Sequence, residues 1–265
     1  MPGPDQVAFG KLPKKADRRT LLLSLSLSGG LLDGERPPAG PVDNEKLVTQ
    51  AWGDLDNNNI KDCAIAAAGH AEMLWAAKYG KPAANPTVDQ IIDAYSKITG
   101  YDPADSTTDK GADLLSVLNY WKKTGIAGQR IGAFAEILPP DIETLRWAID
   151  RLGLAYVGLR LSVATAAPRT GDIKPDFTAP RRWWDPATWQ NPLYGHCVIY
   201  TGYSQDKDAA FTCVSWGTVR KVSEKFHRAY CEEAYAIVAP EQVEDGAATA
   251  NPAVKALKEA VKNIH

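Results

Sequence analysis

Residues 63 to 79 read CAIAAAGHAEMLWAAKY, a run interrupted only by Gly69, His70, Glu72 and Lys78. At helical spacing this run shows alanine or a larger apolar side chain in nearly every direction. A helix of that kind has no face for water, so the rest of the chain must wrap it. Gly80 and Pro82 supply its stop, and Asp62 stands where an N-cap is expected, its carboxylate accepting from the unpaired first-turn amides. One buried central helix is therefore the first constraint on the fold.

Three further helices follow it. Thr87 to Thr99 opens with a Thr87-x-x-Gln90 capping box and ends at Gly100. Asp113 to Lys123 carries Leu114, Leu118 and Trp121 on one stripe, and Asp141 to Leu152 carries Ile142, Leu145, Ile149 and Leu152. Beyond Gly153 the period changes. Residues 154–161, 197–203, 209–216 and 233–239 are rich in β-branched and aromatic side chains and read as strands, with a short helix over 223–231. Helices first and an antiparallel sheet after them is an α+β pattern. Between the first two strands, residues 162–194 form a long loop holding Trp183, Trp184 and Trp189, a length that marks a functional segment.

Three regions are expected: an arm over 1–50, a domain over 51–240 and a polar tail over 241–265 with a helix at 252–264. The arm is Pro-rich with a basic start, and its Leu-Ser alternation over 21–27 fits a wrapping strand or a pro-segment. Arg18-Arg19 before a short, Ser-diluted apolar stretch lacks the length and cleavage site of an export signal. The expectation is a cytoplasmic protein that is not exported. With 30 Lys+Arg against 32 Asp+Glu, bulk charge selects neither nucleic acid nor an anionic membrane. Four scattered cysteines without a CxxC pair build neither a disulfide scaffold nor a closed zinc site, and no cofactor is expected.

Chemistry concentrates at Cys63, the first residue of the central helix. A thiolate there meets unpaired amides and the positive end of the helix dipole, which can lower its pKa. A histidine opening an apolar strand, His196 in GHCVIY, is suited to accept the thiol proton. Asn57, Asn58 and Asn59 lie four to six residues before Cys63, so an amide side chain can join the Cys63 N–H in holding an oxyanion. A plain solvated turn is the other reading of that run.

The order of an amide side chain, Cys at a helix mouth, Gly-His-x-Val on a strand and Ser215-Trp216-Gly217 on the next resembles the papain-like cysteine peptidases over about residues 50 to 240. The Asp62-Cys63-Ala64-Ile65-Ala66-Ala67 segment is similar, more narrowly, to phage-associated proteins near the bacteriocin-processing peptidases. The resemblance implies a papain-like α+β fold, Cys63 as nucleophile, His196 as base, Asn57 in the oxyanion hole and Trp216 as a shield. It implies a protein or peptide substrate, and a phage or virion partner for the narrower group. One position departs: Asn is expected before Ser-Trp-Gly to orient the histidine, and Val214 stands there. Ser215, Thr212, Asp206 and Asp208 are the candidates to replace it, with Ser215 placed in the catalytic set. HCVIYTG also resembles cell-wall amidases of the same superfamily, whose substrate is a peptidoglycan peptide. The alternative to a thiol hydrolase is an inactive papain-like module serving as a binding or virion component, which Val214 favours.

Other constellations are weaker. The Asp54-x-Asp56-x-Asn58 run lacks the Gly and Glu that shape and close a calcium loop. His227 and Cys231 make too small a ligand set for a metal. His70 lies about 10 Å along the helix from Cys63, which suits a hydrogen-bonded core histidine. The three loop tryptophans, beside Arg181 and Arg182, read either as a substrate-cleft lining or as a cluster pinning the loop.

Overall fold

The computed structural model describes residues 7–17, 20, 22–23, 39–166, 177–179, 181–239 and 242. The tail helix expected at 252–264 and most of the 21–27 alternation lie outside them; of the latter, Leu22 bridges Glu136 and Leu23 is buried.

The apolar run forms helix α1 (Cys63–Lys78), buried along nearly its whole length. His70 is the core histidine expected, its Nε2 2.8 Å from the Gly53 carbonyl and its ring edge-on to Trp52. Helix α2 (Val88–Thr99) has the complete Thr87/Gln90 capping box and ends at Gly100 in the left-handed conformation. Asp113 and Asp141 cap α3 (Leu114–Lys123) and α4 (Ile142–Leu152) by accepting from Ser116 and Thr144 N–H groups. Asp62 departs from this pattern. It occupies the N-cap position of α1, yet its carboxylate makes no capping bond.

The sheet is antiparallel, in the order β2-β7-β3-β4-β5-β6, with β1 (Val42–Asp43) pairing β4. The expected strands are β3 (Ala155–Ser162), β4 (Gln190–Tyr203), β5 (Phe211–Ser215) and β7 (Cys231–Val238). Two more, β2 (Ala133–Ile137) and β6 (Thr218–Val222), complete it. Their five-residue lengths and half-exposed patterns hid them from the sequence reading. β4 starts seven residues before the expected point, so the Trp-rich loop is shorter than the sequence suggests. Within that loop lies the one-turn α5 (Val163–Ala166), and α6 (Glu224–Tyr230) joins β6 to β7.

The strands alternate between two cores. Tyr156, Cys197, Ile199 and Val214 face α1, α2 and α3. Val157, Val198, Tyr200 and Cys213 face the opposite side with α4 and α6. This period-two division is what a sheet buried on both faces requires. At the junction of the helices with the sheet, Tyr156 donates from its hydroxyl to the Ala64 carbonyl at 2.6 Å, fixing the start of α1 against β3.

Candidate active site

Cys63 and His196 are both fully buried, at the start of α1 and in the middle of β4, where His196 pairs with Leu159 of β3. His196 Nε2 lies 2.8 Å from Ser215 Oγ, and its Nδ1 has no hydrogen-bond partner among the described residues. The ring stacks on Trp216 with centroids 3.8 Å apart and planes 7° from parallel. Phe177 and Phe9 close its remaining sides at 6.4 and 6.2 Å between centroids. Trp216 holds this position from a left-handed backbone, φ +46, in the turn between β5 and β6. Such a conformation costs a non-glycine residue about 1–3 kcal/mol and persists only where the surroundings enforce it.

The question left open by Val214 has a geometric answer. Val214 pairs with Ile199 and packs into the helical core, so the next residue, Ser215, points to the face where His196 lies. Of the other candidates, Thr212 Oγ1 accepts from Lys221 at 2.8 Å, while Asp206 caps its own exposed turn. Asp208 lies exposed in that same turn.

The expectation of an activated thiolate does not hold in this state. Burial pushes the Cys63 thiol up to about 12; the main-chain N–H groups of Gly10 and Cys197 and the Lys11 ammonium oppose that shift only in part. The helix dipole cannot compensate for complete loss of water. His196 is pushed down to about 3, first by burial and second by the Arg220 charge. The pair is a neutral thiol and a neutral imidazole.

The N-terminal arm contributes to that burial: its Gly10 main chain bonds Cys63, and the arm crosses the junction between helices and sheet. Ala112 N–H donates to Gly10 O at 2.9 Å and Leu12 N–H donates to Ala112 O at 3.0 Å on the helical side. On the sheet side Lys11 N–H donates to Gly195 O at 3.0 Å. A Cβ on Gly10 would overlap the Lys61 carbonyl, and Cβ atoms on Gly111 and Gly195 would overlap the arm's own carbonyls. Phe9 packs edge-on against Tyr194, His196 and Trp216. Beside it opens a cavity of about 380 Å³, whose lining includes Val7, Phe9, Ile60, Tyr101 and Leu193.

Asn57 is buried in a turn that passes through left-handed Leu55 and Asp56. Its amide donates to the Ile60 carbonyl at a long 3.4 Å and favours the Asp62 carboxylate. Asp62 is itself fully buried, and desolvation raises its carboxyl well above the ordinary range.

No family model matches the sequence, and no curated protein matches it. Solved structures do match the fold. Xylellain, a cysteine protease from Xylella fastidiosa, superposes with TM-score 0.62 over 88% of this chain and 97% of its own, at 14% identity. The fold is papain-like. Digestive procathepsin L2 of Tenebrio molitor larval midgut matches 90% of this chain and 81% of its own, with TM-score 0.59 and 12% identity. The proCathepsin B S9 of Trypanosoma congolense gives 0.52 over 88% and 86%, at 10% identity.

His196, Ser215 and Trp216 are in mutual contact across β4 and β5, while Cys63 opens α1 and Asn57 lies in the turn before it. The loop tryptophans do not join that group in their ring contacts. Trp183 and Trp184 are 79% and 65% exposed and meet each other edge-on; Trp189, 44% exposed, lies under Arg181. Sequence reasoning missed Gly10, Lys11, Ala112, Gly158 and Glu233. One signal for the last was present: two carboxylates, Glu232 and Glu233, heading an otherwise apolar strand.

Proposed function

We propose that this chain is a thiol-dependent peptide hydrolase whose arm covers the site as a pro-segment. One observation carries the reading: the His196 ring is clamped between Ser215 and Trp216 while its Nδ1, buried, has no partner among the described residues. A buried ring nitrogen without a hydrogen bond is costly in a purely structural role. It suits a base waiting for a proton. The Ser215 hydroxyl also supplies His196 with the bond that Val214 cannot make, which counts against an inactive module.

In this reading Nδ1 takes the Cys63 proton as the sulfur attacks a peptide carbonyl carbon. The oxyanion faces the Cys63 N–H at the start of α1, which the Asp62 carboxylate leaves uncapped, and the Asn57 amide released from its long bond to Ile60. The imidazolium gives its proton to the leaving amine, and water then hydrolyses the thioester with His196 again as base. Ser215 holds the Nε2–H tautomer that leaves Nδ1 basic. The comparison with two procathepsins supports the pro-segment reading of the arm, as do the arm's main-chain bonds to both walls. A protein or peptide is the substrate class that main-chain pairing of this type fits. The bacteriocin-processing, phage-associated and amidase variants of the reading rest on the sequence motifs alone.

The test is hydrolysis of a quenched fluorescent peptide library by the full chain carrying Gly10→Ala, which displaces the arm. Cleavage abolished by Cys63→Ala and by His196→Ala is expected. Cleavage that survives Cys63→Ala would refute the proposal.

A further inference from the structure

Lys11 is a buried cation held in a receptacle that belongs to the body of the protein. Its side chain is 1% exposed, with Nζ 2.5 Å from Glu232 Oε2 and 2.7 Å from Glu233 Oε1. Glu233 is fully buried on β7; Tyr235 donates to its Oε2 at 2.8 Å, and its Oε1 faces the Lys11 ammonium. Glu232 lies nearer the surface and also pairs with Arg160. The Lys11 stem passes over Gly158 of β3. A methyl group there would lie 2.7 Å from Glu233 Cγ and 3.0 Å from Leu114 Cδ2 and would overlap Lys11 Cε. Gly158, Leu114 and Glu233 thus enclose a slot with a carboxylate floor, as long as a lysine side chain.

The slot lies beside the candidate nucleophile. Lys11 N–H is bonded to Gly195, the residue before His196, and the Lys11 charge acts on both Cys63 and Cys197. Residue 11 is held as an added strand between Ala112 and Gly195. A peptide replacing the arm inherits those main-chain partners. It also inherits Glu233, a buried carboxylate that is tolerated only when a cation covers it.

We propose that the cleft selects peptides presenting a Lys or Arg side chain to this slot, with Glu233 the specificity-determining residue and Lys11 the arm's mimic of the substrate side chain. The catalytic half of this inference rests on the hydrolase reading; the binding half does not, and the two are separable. In the full chain carrying Lys11→Ala, n-butylamine, an ammonium at pH 7.5, should raise the melting temperature saturably. n-Butanol should not, and the effect should vanish with Glu233→Gln added. Should Lys11→Ala refold poorly, the same pair of probes is compared by refolding yield. Equal responses to the two probes, or none to either, would overturn the slot.

The second readout is the labelling rate of Cys63 in Lys11→Ala by peptide vinyl sulfones scanned with Lys, Arg or norleucine. Basic probes should react at least about 30-fold faster, the scale expected when a buried charge loses its partner. The ratio should collapse in Lys11→Ala/Glu233→Gln and in Lys11→Ala/Gly158→Ala. Norleucine probes reacting as fast as basic ones would overturn the specificity and leave the hydrolase intact. Ammonium stabilisation with no labelling by any probe would support the slot and count against the hydrolase.

Discussion

Gly10→Ala is the smallest change that should uncover Cys63. Its Cβ would fall on the carbonyl of Lys61, a residue locked by bonds from its N–H and ammonium to Asp109, so the arm yields first. The magnitude follows from the thiol. With the pKa at about 12, the Cys63 thiolate fraction at pH 7.5 is about 3 × 10⁻⁵, against roughly 0.1 for a free cysteine at about 8.5. That is a deficit of about 3,000-fold. A more basic thiolate is intrinsically more nucleophilic, which over about 3.5 units restores roughly 40-fold. About 80-fold of protection remains before any steric blocking by Phe9 and Lys11 is counted. Gly10→Ala should therefore raise iodoacetamide labelling of Cys63 at pH 7.5 by about 100-fold. The wild-type rate should climb tenfold per pH unit from pH 6 to 10, whereas the variant should level off above its lowered pKa. Labelling is read by peptide mass spectrometry, with Cys213 and Cys231, both pushed up by burial, as silent internal references. A folded Gly10→Ala protein with the wild-type rate and pH slope would refute the arm as a source of the burial.

Ser215→Ala removes the hydrogen bond that holds His196 Nε2 and should lower kcat roughly 10- to 100-fold in the arm-displaced protein with KM little changed. An unchanged kcat and pH profile would exclude Ser215 as the positioning residue. Acid should unfold the protein through its buried histidines. Burial pushes His70 and His227 down to about 4 and His196 to about 3, so the unfolded chain binds protons first as pH falls below about 6.5. Stability is held above that pH and lost toward pH 4, at about 4 kcal/mol per unit for the three together. Urea midpoints that stay flat from pH 7 to pH 5 would contradict the neutral, buried assignment.

Much of the scaffold was legible because its signals are local. Thr87 with Gln90, Asp113 and Asp141 announce helix starts through side chains that bond within one turn. Asp62 carried the same signal and misled, because tertiary burial of its carboxyl overrode the local bond. At the candidate site, residue types and order pointed to Cys63, His196 and Trp216, and the structure stacks the last two on each other. The role of Ser215 was open because Val214 and Ser215 differ only in which face of β5 they occupy, a matter of register.

The sequence by itself determined that a helix apolar on every side sits at the centre, with a cysteine at its mouth and a histidine on a later strand. That follows from composition and period, which are properties of neighbouring residues. Only the tertiary structure decided the state of those groups. The thiol is neutral because burial removes its water, and the arm's Lys11 is buried because Gly158 and Glu233, on other strands, leave it room and a counter-charge. Desolvation and charge pairing act through space between segments far apart in the chain, and spacing along the sequence does not encode them.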